Sequence, residues 1–298
     1  MSNSFKATNE QIESIIHYYD ADKINSKNDI FLFQAKAIDF SVSIYKNGTV
    51  FFQGKEAEKE FLKWNPNDLD LKDKTEMNHI GSDEVGCGDY FGPVVVCAAL
   101  VKKEDYPYLY EIGVQDSKQL TDIKIQNLAL LLQKRVQYVS FVLSTKKYNE
   151  LHEKGYNLNK IKAYLHNFVL YKLAEKTQFK GEMIVDQFCS EKLYYHYLND
   201  YHPNEIQYHL HFTPKAENKY LAVACASILA RDLFIKEMQK LEKEIGYSPI
   251  YYGAGHKVDE LATKIAIEKG TQYLKKYVKF HYKNTEKVLQ NLNEKKYF

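Results

Sequence analysis

Four carboxylates stand where ordinary surface acids are seldom found. Asp83 and Glu84 end the stretch that begins at Ile80 and lead into Gly86-Cys87-Gly88-Asp89-Tyr90-Phe91-Gly92-Pro93. Asp186 closes the run Met183-Ile184-Val185. Glu217 lies in Thr213-Pro214-Lys215-Ala216-Glu217-Asn218, just ahead of the small-residue segment Ala222 to Ser227. Taken singly, the glycine segment also reads as a surface turn with solvated acids, Asp186 as a turn or helix cap, and Glu217 as an acid favoured at a helix N-terminus. Together, four carboxylates from two strand ends and a helix start, without matching His or Cys ligands, suit a hard divalent cation such as Mg2+ or Mn2+ rather than zinc. Adjacent residues of a regular strand point to opposite faces. Asp83 and Glu84 can therefore serve one metal site only if the chain bends there, a bend that Gly86 and Gly88 would permit. A dinucleotide loop is excluded, because Gly86, Gly88 and Gly92 are spaced GxGxxxG and no helical pattern follows.

These acids need a scaffold. Ile80 to Asp83 is expected as a short strand, Pro93 to Val101 as a buried one and Val136 to Thr145 as a third. A helix with Leu158, Ile161, Leu165 and Phe168 on one face follows, then strands at Glu182 to Asp186 and Ile206 to Phe212, then a long helix from about Asn218 to Ile245. Three early strands followed by strand–helix alternation imply an α/β fold, a mixed β-sheet flanked by helices. Upstream, Thr8 with Gln11 three places later marks a helix start carrying Ile12, Ile15, Ile16 and Tyr19. Ile38, Phe40, Val42 and Ile44 alternate with polar residues and connect through Lys46-Asn47-Gly48 to Thr49 to Phe52, the pattern of a hairpin. A second helix bears Ala57, Phe61 and Trp64. The polar stretch before Asn78 reads as a linker, which places a small N-terminal α/β domain at 1–66, the linker at 67–78 and a larger domain at 79–298.

At 298 residues, 45% hydrophobic and 27% charged, the chain can bury a substantial core, which excludes a disordered tail, a disulfide miniprotein and a collagen-like fibre. Its longest apolar run, Val94 to Val101, is far shorter than the ~20 residues of a membrane span, and the start lacks an apolar targeting core. A cytoplasmic protein without membrane association is expected. Cys87, Cys97, Cys189 and Cys225 form no CxxC pair, so they read as small apolar residues. Residues 1–80 hold ten Lys against thirteen acids, leaving 31 basic against 26 acidic residues for the remainder. The larger part is thus compatible with a polyanionic partner, and a broad basic patch in the N-terminal part is not expected. Arg occurs only at Arg135 and Arg231. That scarcity fits either backbone-only contact with a polyanion through Lys or a compositional bias shared with abundant Asn, Ile and Tyr.

Four ordered motifs, GSDEVGCGDYFGP at 81–93, DSKQLTD at 116–122, IVDQF at 184–188 and KAENKYLAVACASILARD at 215–232, resemble the type 2 ribonucleases H, and among them the ribonuclease HIII group, over 79–290. Glu217 in Lys-Ala-Glu, where the sister ribonuclease HII group typically has Asp, and the separate N-terminal domain favour the HIII group. The resemblance implies a ribonuclease H-like sheet and an N-terminal domain that resembles a TATA-binding-protein fold and helps hold substrate. It implies endonucleolytic cleavage of the RNA strand of an RNA/DNA hybrid, leaving 5′-phosphate and 3′-hydroxyl ends. Asp83, Glu84, Asp186 and Glu217 would be the catalytic carboxylates and hold two Mg2+ or Mn2+ ions about the scissile phosphate, with Asp83 as the bridge. Backbone around Gly86, Cys87 and Gly88 would contact the 2′-hydroxyl without base readout. Cys87 stands where ribonuclease HII usually has Arg, which puts a side-chain contact there in doubt. Ser117, Lys118, Lys215 and, less directly, Ser227 would meet backbone phosphates, making binding salt-dependent. No obligate protein partner is evident, and a monomer is expected.

Other residues attract attention without a clear pattern. The stretch Leu193 to Phe212 holds Tyr194, Tyr195, Tyr197, Tyr201 and Tyr208 with His196, His202, His209 and His211, but the spacing suits neither a stacking platform nor a metal tract, and a structural role is expected. His256, in a glycine-flanked loop, could touch substrate or metal-bound water. Phe51, Phe52 or the hairpin lysines could touch the hybrid. Two further activities stay open: incision at single ribonucleotides in duplex DNA, and catalytically silent hybrid binding. The acid quartet argues against the latter, since its mutual repulsion is costly without cations.

Overall fold

The computed structural model describes residues 3–24, 29–64, 77–114, 120–199 and 210–294. The chain divides into two compact units, residues 1–75 and 76–298. The first holds an antiparallel sheet of β1 (Ser4–Lys6), β2 (Phe31–Lys36), β3 (Phe40–Tyr45) and β4 (Thr49–Gly54), in the spatial order β1-β4-β3-β2. Helix α1 (Asn9–Tyr18) starts on the expected capping box: the Thr8 hydroxyl accepts from the Gln11 N–H at 3.3 Å, and the Gln11 side chain accepts from the Thr8 N–H at 2.9 Å. Val42, Ile44, Val50 and Phe52 of the sheet meet Ile12, Ile15, Tyr19 and, from α2 (Ala57–Trp64), Phe61 in one core. Strand alternation sends Ser41, Ser43 and Phe51 to the opposite face. Phe52 is therefore a core residue, and of the two phenylalanines only Phe51 is placed to meet a ligand. Ile38 is fully exposed rather than part of the alternating strand. The strand begins only at Phe40, after a turn in which the Ala37 N–H donates to the Phe40 carbonyl at 3.0 Å.

The second unit is built on a mixed five-stranded sheet. Strands β5 (His79–Val85), β6 (Val94–Val101) and β7 (Gln137–Leu143) run antiparallel, and β8 (Glu182–Asp186) and β9 (Leu210–Thr213) extend it parallel to β5, giving the order β7-β6-β5-β8-β9. Helices α3 (Tyr106–Glu111), α4 (Asp122–Arg135), α5 (Thr145–Glu153), α6 (Leu158–Thr177), α7 (Glu191–Leu198), α8 (Leu221–Ile245), α9 (His256–Lys269), α10 (Thr271–Leu274) and α11 (Lys283–Glu294) surround it. α8 and α6 lie on opposite faces. Val95, Cys97 and Ala99 of β6 pack with Ala222, Cys225 and Leu229, whereas Val94, Val96 and Ala98 pack with Ile161, Leu165 and Val169. Burial on both faces explains why β6 is an unbroken apolar run. The mixed sheet with flanking helices and the separate four-stranded unit match the expected α/β class.

Several expectations change in detail. The long helix begins at Leu221, after a 3-10 turn at Ala216–Asn218. The Tyr/His stretch opens as α7, with Tyr194 buried against Ala163 and Leu198. His211 pairs with Glu182, while Tyr201, His202, Tyr208, His209 and the start of the expected fifth strand lie outside the described residues. His256 does not sit in a loop but opens α9, 3.5 Å from Glu260. Of the expected linker at 67–78, residues 67–76 lie outside the described residues. Among the described residues no helix is long and apolar enough to cross a membrane.

Candidate active site

The parallel pairing of β5 and β8 brings two of the acids together. Gly81 stands beside Ile184 and Ser82 beside Val185, so the next pair along these strands is Asp83 and Asp186, at the carboxyl ends of neighbouring strands and on the face covered by α8. The Ser227 hydroxyl of α8 donates to Asp83. The Glu84 N–H also donates to Asp83 Oδ1, at 2.7 Å. Burial, then the charges of Glu84 and Asp186, push the Asp83 carboxyl up to about 7. Lys215 takes a left-handed turn (φ 53°), after which the Ala216 N–H donates to Asp186 Oδ1 at 2.8 Å and Glu217 follows, buried, on the 3-10 turn.

Glu84 points the other way. Strand β5 stays regular through Val85, so the expected bend at Asp83–Glu84 does not occur. Glu84 pairs across the sheet with Val96, on the α6 side, where Lys162 meets its Oε1 and His166 Nε2 lies 2.7 Å from its Oε2. His166 is fully buried, and its Nδ1 is 2.8 Å from the Ser82 hydroxyl. These partners hold the Glu84 carboxyl below the usual range against the opposing effect of burial. Sequence reasoning missed Lys162 and His166. Their signal was a pair of polar residues four apart, hence on one side of a helix otherwise read by its apolar face.

The glycine loop begins at Gly86, whose φ is 90° and where a Cβ would lie 2.8 Å from the Phe234 ring, so close packing and backbone angle both require glycine. Gly88 is exposed, with open space around it. The Cys87 thiol is pushed up to about 12, first by burial and then by Glu84, which makes it a neutral packing residue rather than a thiolate ligand. Lys215 is exposed beside the acids' turn. Ser117 and Lys118 lie outside the described residues.

The donor set is made of hard carboxylate oxygens, and the crowding that raises Asp83 is relieved by a cation, so its chemistry fits Mg2+ or Mn2+. The spacing is not closed: among the described residues no three His, Cys, Asp or Glu side chains converge tightly enough to hold an ion. Glu84 in particular has both oxygens engaged on the α6 side.

A family model described as "Ribonuclease HII" matches residues 80–285, and one described as "Domain of unknown function (DUF3378)" matches 4–77. A relative from Geobacillus sp. (strain WCH70) named "Ribonuclease HIII" is 39% identical over 291 residues, covering 95% of this chain and 96% of its own length. The chain belongs to the ribonuclease HIII family. The ribonuclease HIII of Bacillus subtilis (strain 168) is 40% identical over 283 residues, 89% of each chain. The solved structure described as Bst-RNase HIII in complex with Mn2+ is 34% identical, with a TM-score of 0.71 and 97% of this chain and 98% of that one covered. Family membership makes the chain a hydrolase, an endoribonuclease that acts on RNA in RNA/DNA hybrids. The Mn2+ in that relative agrees with use of a divalent metal.

Proposed function

We propose that the carboxyl ends of β5 and β8 form the catalytic centre, with Asp83, Glu84, Asp186 and Glu217 as the metal-holding carboxylates of a monomeric, cytoplasmic enzyme. The observation that carries this reading is the placement of Asp83 beside Asp186 at the ends of adjacent parallel strands, where burial and then the neighbouring acids push the Asp83 carboxyl up to about 7. When bound, divalent ions there would lower the pKa of an attacking water and balance charge on the departing 3′-oxygen. Asp83 is oriented by Ser227 and Asp186 by the Ala216 N–H, whereas Glu84 is held on the α6 side by Lys162 and His166 and would have to turn from them to reach an ion. The Gly86-Cys87-Gly88 backbone follows directly on these acids and is open at Gly88, which leaves room for a sugar-phosphate strand. Lys215, and by motif Ser117 and Lys118, would meet its phosphates. In the N-terminal unit, the sheet face bearing Ser41, Ser43 and Phe51 would add grip on the hybrid.

The test is an end-labelled RNA/DNA hybrid beside a DNA duplex with one ribonucleotide, each with Mg2+ and then Mn2+. Cleavage confined mainly to the hybrid, with 5′-phosphate and 3′-hydroxyl ends, is expected with either ion. Equal or better incision at the lone ribonucleotide would move the activity to the ribonuclease HII type. Absence of metal-dependent cleavage would leave only hybrid binding.

A further inference from the structure

The glycine loop is stitched to residues 277–282 by an ammonium group without solvent exposure. Lys279 is fully buried, and its Nζ donates to the carbonyls of Asp89 at 2.7 Å and Gly92 at 2.8 Å. Its backbone N–H donates to the Tyr90 carbonyl at 2.8 Å, and the Tyr282 hydroxyl donates to the Cys87 carbonyl. The carbonyls of Cys87, Asp89, Tyr90 and Gly92 are thus all drawn toward one segment. That segment is itself anchored by Asn149 of α5, which donates to the carbonyls of Lys275 at 3.0 Å and Val278 at 2.9 Å and accepts from the Phe280 N–H at 3.0 Å.

Burying an ammonium is costly where a methionine would fill the same volume at no such penalty. Burial does pull Lys279 down, to about 8, against Asp89 and Cys87, yet it stays largely cationic at neutral pH. Its face toward the Tyr148 ring, 5.8 Å away, adds a weak attraction. A charge retained at such cost implies a demand that packing alone would not meet, and the demand visible here is the alignment of loop carbonyls.

We propose that Lys279 is a positioning residue for substrate: it fixes the 87–92 loop by drawing the Asp89 and Gly92 carbonyls inward, so that the loop meets the sugar-phosphate backbone in one conformation. This rests on the reading of that loop as a substrate contact. The test compares wild type with Lys279→Met and Lys279→Gln, measuring KM and kcat on the hybrid and Mn2+ binding by electron paramagnetic resonance, with circular dichroism to confirm folding. KM should rise about tenfold in the Met variant, as expected for loss of a charge-assisted bond, with kcat at saturating hybrid changed less than about threefold and Mn2+ binding unaltered. The Gln variant, which keeps two N–H donors, should recover part of the loss. A folded Met variant with wild-type KM would overturn the inference, as would a fall in kcat and Mn2+ affinity at constant KM. If the Met variant does not fold, Tyr282→Phe removes one donor from the loop's other end and should raise KM about threefold; an unchanged KM there overturns it equally. Wild-type protein that fails to bind the hybrid would instead refute the substrate reading itself.

Discussion

Replacing Gly81 by alanine tests how closely strand β5 and helix α8 must approach to hold Asp83. A Cβ at Gly81 would stand 2.6 Å from Val223 Cγ2 and 2.7 Å from the Ala222 carbonyl carbon, and would also strike the Val223 backbone nitrogen. Two of these three atoms are backbone, in the first turn of α8, and that turn is held to β5 by the Ala222 N–H donating to His79 Nε2 at 3.2 Å. No side-chain rotation can relieve the overlap, so helix and strand must separate by about 1 Å. Overpacking of this kind costs about 1–3 kcal/mol. For a unit of this size that corresponds to a loss of about 3–10 °C in melting temperature. Asp83 lies two residues along the strand and its partner Ser227 one turn along the helix, so the same displacement separates a carboxylate from its donor. A misplacement of about 1 Å commonly costs about a hundredfold in rate. Differential scanning calorimetry and single-turnover hybrid cleavage read the two effects. Gly88→Ala is the control, since no atom lies within 4 Å of its added Cβ, and it should melt as wild type does. A Gly81→Ala protein with wild-type melting and wild-type single-turnover rate would refute the reasoning.

Lys162→Met leaves Glu84 without its cationic partner in a site where both side chains are nearly buried, at 10% and 14% exposure; a loss of about 3 kcal/mol in urea unfolding and slower cleavage are expected, and an unaltered midpoint would show that His166 suffices. In the N-terminal unit, Phe52→Ala removes a core ring and should cost that unit about 3–5 kcal/mol, whereas Phe51→Ala on the outer face should leave melting unchanged and raise KM for the hybrid; the reverse pattern would place the binding face wrongly. Acid stability depends on His79. Burial lowers its pKa, its Nε2 must stay an acceptor for Ala222, and its Nδ1 lies 2.9 Å from the Met77 carbonyl, so the folded protein refuses a proton that the unfolded chain takes up near pH 6.5. The unfolded state then binds more protons, and stability is expected to fall as pH drops below about 6.5. His281, lowered to about 4, acts in the same direction, so the relevant measurement is the difference between wild type and His79→Gln. Parallel melting curves for the two proteins from pH 7 to 5 would contradict the assignment.

What was legible in the sequence was local. Thr8 and Gln11 announced a helix because a capping box is complete within four residues, and β6 announced itself because burial on both faces leaves no polar gap. The four acids were legible because carboxylates at strand ends are unusual without a ligand. Their facing was not: alternation alone puts Asp83 and Glu84 on opposite sides, and the anticipated bend gave way to a Glu84 held by α6. β1 and β2 went unseen because three residues at Ser4–Lys6 carry too little pattern, and each strand is defined by its neighbour in the sheet. The same reason hid Gly81, His166 and Lys279. The atoms that give them meaning, in Val223, Glu84 and Gly92, lie 82 to 187 residues away in sequence or are known only by their direction in space, as the bonds across those separations show.

The most direct test of the central claim is cleavage of an end-labelled RNA/DNA hybrid by wild type and by Asp83→Asn, with hybrid binding measured on the same preparations. The substitution keeps the shape of the side chain and removes the anionic donor at the point where β5 and β8 bring their acids together. Metal-dependent cleavage should be abolished while hybrid affinity stays close to wild type; cleavage by Asp83→Asn at the wild-type rate would contradict the account.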